Sequence, residues 1–133
     1  MPQINWLAVL VAAIAMFGLG AVWYSPVLFA KQWAKAAGVS REGSPGGNFV
    51  WVMLGAFVLT LLMAANLAFF ISGPGVTLGF AIGAAVAAGL GWATLSLWIV
   101  SLFEQRPFSY ILINGGYLTV GFALMGLVLG LWR

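Results

Sequence analysis

Four stretches of this chain are long enough to cross a lipid bilayer and carry no charged residue: Ile4 to Phe29, Phe49 to Ile71, Val76 to Phe103 and Phe108 to Trp132. The hydrocarbon core takes roughly 20 apolar residues at about 1.5 Å rise each, so every run suffices for one helical span. The rest of the composition agrees, with 64% of the 133 residues apolar and 5% charged. A water-soluble domain of this size leaves too much of its chain exposed to hide that apolar surface. The expected fold is all-α: a polytopic membrane protein with four transmembrane helices in a bundle, one domain over residues 1–133.

The connections set the expected topology. The long one, Lys31 to Asn48, contains the turn-forming run Gly43 to Gly47, while Ser72 to Gly75 and Glu104 to Pro107 are tight links. Pro107 suits the first turn of the fourth helix. Lys31, Lys35, Arg41 and Arg106 fall in the first and third connections, against Arg133 alone at the C-terminus. Basic loops stay in the cytoplasm, so both termini are expected outside. The first run carries its lysines after the apolar stretch, the reverse of a secretory signal, and reads as a retained span.

Within spans that are apolar all round, residue size carries the information. Gly79, Gly83, Ala87 and Gly91 recur every four residues in the third run, as do Ala56, Thr60, Ala64 and Ala68 in the second, and Gly126 with Gly130 form a GxxxG in the fourth. Such stripes let helices approach closely and are the expected helix-packing positions, within the chain or in a homo-oligomer. At an offset of 59 residues the second and fourth runs align without gaps, Phe49 on Phe108, Leu59 on Leu118, Thr60 on Thr119 and Ala64 on Ala123. Ala12 to Ala15 likewise matches Ala84 to Ala87. The pattern is consistent with a parallel two-plus-two hairpin repeat.

The chain has no Cys and no His, which removes thiol and imidazole chemistry and the usual zinc and haem ligands. No cofactor or metal is expected. Nothing pairs a nucleophile with a base or sets two carboxylates together, so the chain reads as not an enzyme. A net charge of +3 from five basic residues gives no footprint for nucleic acid. Mid-membrane carboxylates are absent too, which disfavours a proton-coupled exporter.

Polar residues gather instead toward the cytoplasmic half. Thr94, Trp98 and Ser101 share a helical face with Gly91, about 3 to 14 Å from the end of the third span. Asn114 and Tyr117 share a face of the fourth with Tyr110 and Gly121, and Trp23, Tyr24 and Ser25 lie at a similar level in the first. Trp23, Tyr24, Ser25, Thr94, Trp98, Asn114 and Tyr117 form either a cavity open to the cytoplasm or a set of interhelical hydrogen bonds with an aromatic belt. Pro26 lacks an amide hydrogen, so the Val22 carbonyl loses its helical donor there, which marks a kink or helix exit with Ser25 able to supply a replacement. Past it, Leu28, Phe29, Trp33 and Ala36 are expected on the membrane interface, with Lys31 and Lys35 at anionic headgroups. Glu104 and Arg106 bracket the tight cytoplasmic turn, as an ion pair or as charges at a mouth. Asn5 and Asn66 lie toward the outer face, hydrogen-bonded to each other or to backbone.

The block Asn5-Trp6-Leu7-Ala8-Val9 with Trp23-Tyr24-Ser25-Pro26, and later Phe103-Glu104-Gln105-Arg106 with Ile113-Asn114-Gly115-Gly116-Tyr117, resembles a family of small bacterial four-span proteins catalogued as a domain of unknown function. The resemblance covers nearly the whole chain. It implies the bacterial inner membrane and a helical architecture, and brings no reaction, substrate or cofactor. Two functions stay open: an oligomeric passive channel or facilitator for a small solute or ion, and a membrane assembly or accessory subunit that holds another membrane protein or organises lipid.

Overall fold

The computed structural model describes residues 4–25, 28–38 and 49–132. Pro26, Arg41, the Gly43 to Gly47 run and Arg133 lie outside the described residues, and with Pro26 the expected kink. The elements are α1 (Trp6–Trp23), α2 (Ala30–Ala37), α3 (Phe49–Ile71), α4 (Leu78–Phe103) and α5 (Phe108–Leu131). Four of them, α1, α3, α4 and α5, are long and apolar enough to cross a membrane. The fold is all-α, with the spans packed against one another.

Each end has a local cause. Asn5 caps α1, its side-chain oxygen accepting from the Ala8 amide at 3.1 Å. Thr77 caps α4 in the same way, through the Phe80 amide. The first span ends at Trp23, short of the expected Phe29. There the Val22 carbonyl accepts from both the Ser25 amide and the Ser25 hydroxyl, the latter at 2.7 Å, which is the replacement donor anticipated at this exit. α2 ends at Gly38, whose φ of 73° is the left-handed conformation that closes helices.

The α4–α5 turn is a Schellman motif. The Arg106 amide donates to the Ser101 carbonyl and the Gln105 amide to that of Leu102. Its left-handed position, φ 58°, is occupied by Gln105 rather than a glycine.

Helix α5 is the central element. It packs along α4 on one side and α1 on the other, while α3 leans mainly on α1. Two sets of glycines on α5 explain the close approach. A Cβ at Gly126 would lie 2.5 Å from the Ala85 Cβ and 3.0 Å from the Ala81 carbonyl oxygen; at Gly130 it would meet Leu78, and at Gly115 the Thr94 methyl. Toward α1, Gly116 admits the Trp23 ring and Gly121 admits Met16. On α3, Thr60, Ala64 and Ala68 are buried, as their stripe suggested.

The packing expected of Gly79, Gly83, Ala87 and Gly91 is not made within the chain. All four are exposed, and around Gly83 and Gly91 there is open space. α4 meets α5 instead through Ala81, Ala85 and Gly89, a Cβ at Gly89 lying 2.7 Å from that of Phe122. These positions are themselves four apart, and the first two precede a π-helical stretch, Ala87–Thr94, inside α4. With i→i+5 spacing, Gly89 rather than Leu90 falls beneath Thr94.

Candidate functional site

The polar residues divide into two groups on either side of α5. In the first, the Trp23 indole donates to the Ile113 carbonyl at 2.8 Å, and the Tyr24 hydroxyl donates to the Asn114 side-chain oxygen. Tyr117 reaches across to α1, its hydroxyl donating to the Met16 carbonyl at 3.4 Å and lying against Gly20. The Tyr24 ring meets Tyr117 edge-on at 5.4 Å and Trp33 of α2 at 5.6 Å, while Trp23 packs on Phe29 at 5.0 Å. Each of these polar groups is thus spent on joining α1 to α5.

The second group centres on Thr94, 7% exposed in the π-helical stretch. Its hydroxyl lies 2.8 Å from the Gly89 carbonyl, 3.1 Å from the Gly115 carbonyl and 3.1 Å from the Thr119 hydroxyl. One hydroxyl has one proton, so the two carbonyls share it and Thr119 supplies the third bond as donor. Trp98 belongs to neither group: it stands on the outer surface against Phe108, ring centres 5.5 Å apart. Ser101 is buried, and its hydroxyl has no partner among the described residues. Ser25 is the closing group of α1.

At the same end, Arg106 is a tie rather than a free mouth charge. Its Nη1 donates to the Ala37 carbonyl at the C-terminus of α2 at 2.8 Å, its Nε lies 3.5 Å from a Glu104 oxygen, and its guanidinium stands 5.4 Å over the Tyr110 ring. A cation there also complements the negative end of the helix. α2 is thereby folded against α5. Ala30, Ala34 and Ala36 are buried, and Phe29 and Trp33 pack on Trp23 and Tyr24 instead of spreading on an interface; Leu28, Lys31 and Lys35 remain exposed. Asn5, besides its cap, reaches the Trp132 carbonyl at 3.4 Å, so the two ends of the described chain meet at the opposite end of the bundle. Asn5 and Asn66 do not bond each other.

Cavities lie away from both polar groups. Two adjoining clefts of about 330 and 300 Å³ open between α3 and α4, one lined by Met63, Asn66, Ala93 and Ser96, the other by Phe80, Ala84 and Ala87. Leu67, Phe70, Ala88 and Trp92 border both. Sequence reading assigned this flank no role. Its one pointer was Asn66, an amide in an otherwise apolar helix.

A family model described as protein of unknown function (DUF1761) matches residues 7–130. The chain belongs to that family. The match spans all four helices and both polar groups, in keeping with the resemblance carried by the Trp-Tyr-Ser-Pro and Asn-x-Gly-Tyr blocks. No curated protein and no solved structure matches the chain.

Proposed function

We propose that this chain is a non-catalytic accessory or assembly protein of the bacterial inner membrane, with both termini on the outer side, that works through its lipid-facing flank. The observation behind this reading is how the polar side chains are used. Trp23, Tyr24, Asn114, Tyr117 and Thr94 each bond another of these residues or the backbone across helix contacts. What the single chain leaves uncovered is lateral: the open stripe of α4 and the clefts beside it. Self-association along Gly79, Gly83, Ala87 and Gly91 fits that surface. The passive-channel reading requires a path between copies, since these five residues are taken up by helix contacts within one chain.

Two measurements separate the readings. Crosslinking in native membranes is expected to recover a homo-oligomer or one stoichiometric membrane partner. Proteoliposomes are expected to show no solute or ion flux above protein-free vesicles; flux that disappears with Asn114→Leu or Tyr117→Phe would establish the channel.

A further inference from the structure

We propose that the cleft between α3 and α4 is a binding site for a neutral, bilayer-dissolved lipid: a long apolar chain bearing one hydroxyl or carbonyl that sits within the hydrocarbon. Two polar groups point to such a ligand. The Asn66 amide and Ser96 hydroxyl are exposed on the cleft walls, and neither makes a hydrogen bond to the described residues. Asn66 is five residues from the end of α3 and Ser96 seven from the end of α4, so in this antiparallel hairpin they lie about 7 and 10 Å inside opposite ends of the span, and the one polar group of a ligand bonds one of them at a time. At those depths of a core about 30 Å thick no bulk water reaches them. An unbonded amide in hydrocarbon costs several kcal/mol, so a partner is strongly favoured.

Shape decides what that partner is. From Phe80 to Ser96 the groove follows α4 for about 24 Å, the reach of a long acyl or prenyl chain. Its clefts of about 330 and 300 Å³ have the size and apolar, aromatic lining of small-molecule sites. No charged residue lines either cleft, so a headgroup that must stay ionised finds no counter-charge. The alignment of the first span with α4 bears on the origin of the groove. At the offset that lays Ala12 on Ala84, Met16 falls on Ala88. Met16 fills the α1–α5 contact against Gly121, whereas Ala88 on the cleft wall leaves the corresponding space empty.

The test uses the full chain in phosphatidylcholine vesicles with a hexadecanol carrying a diazirine in its chain. After illumination, adducts are expected to concentrate on residues 63–70 and 84–96. Excess hexadecanol or a decyl-substituted benzoquinone should displace them, and hexadecane should not. Asn66→Leu should lower labelling by about fivefold, the ratio that one hydrogen bond in hydrocarbon supports, with Asn66→Gln restoring most of it. Ala88→Leu, which fills the groove without touching the polar pair, should lower it as well. Adducts spread evenly around the lipid-facing surface, or equal competition by hexadecane, would overturn the proposal. So would efficient disulfide formation between two copies of Asn66→Cys in the otherwise cysteine-free chain, because a second protein then covers the cleft. Apart from that disulfide, none of these outcomes depends on whether a protein partner is recovered by crosslinking.

Discussion

At the scale of single residues, glycines set how close the helices come, and their surroundings differ enough to be tested one against another. Gly126→Ala forces a methyl onto the Ala81 backbone and the Ala85 methyl, neither of which can rotate away. The expected loss is about 1–3 kcal/mol of stability, read as a lower unfolding temperature in detergent micelles. Gly121→Ala should cost less, because its obstacle is the flexible Met16 side chain. Gly83→Ala meets open space and should leave the monomer unchanged. The sequence exposed only part of this. Gly126 and Gly130 stood out by spacing, and the stripe on α4 by a stronger one, yet only the first pair packs within the chain. Spacing shows that a close approach is available. Which neighbour takes it depends on bulky partners such as Phe122 and Met16, which look like any other apolar residue. The polar residues were more legible: Asn5 before the first helical turn, and Ser25 before a proline, each have few ways to be satisfied.

At the scale of elements, two local departures from the regular helix carry their own predictions. In the α4–α5 turn Gln105 holds a left-handed conformation that costs a side chain about 1 kcal/mol. Gln105→Gly should therefore raise the unfolding temperature without changing helical content. In the π-helical stretch, Thr94 joins the widened turn of α4 to α5 with a single hydroxyl. Thr94→Val keeps the shape and removes the bonds. A loss of about 0.6–2 kcal/mol is expected, the range for side-chain hydrogen bonds between membrane helices. Nothing in the alternation of Gly89 and Gly91 announced the wider turn. Regular i→i+4 spacing places Leu90 under Thr94, and the extra residue per turn hands the contact to Gly89. The helix α2 shows the same limit. Its lysines marked it as interfacial, but Arg106, distant in sequence, fastens its last carbonyl to the bundle.

At the scale of the whole molecule the packing is lopsided: α1 and α4 both close on α5, while α3 and α4 stand apart around the clefts. Four spans could be counted from charge-free length alone, and the meeting of Asn5 with Trp132 agrees with an even number of crossings. The open flank could not be seen that way, because lipid-facing and helix-facing residues share one apolar alphabet. If the α4 stripe joins copies, Gly83→Cys should form a disulfide dimer in membranes, and Gly83→Ile should leave a monomer of unchanged stability. The central claim is that the polar residues at the α1–α5 and α4–α5 contacts are joints between helices rather than the wall of a hydrated path. Substituted-cysteine labelling tests it directly, since the chain has no cysteine of its own. With Thr94→Cys or Tyr117→Cys in sealed vesicles, a small water-soluble thiosulfonate added to either side is expected to leave both thiols unmodified, while an exposed control at Lys31→Cys reacts. Rapid modification at Thr94 and Tyr117 would show water where the structure places helix contacts, and would contradict the account.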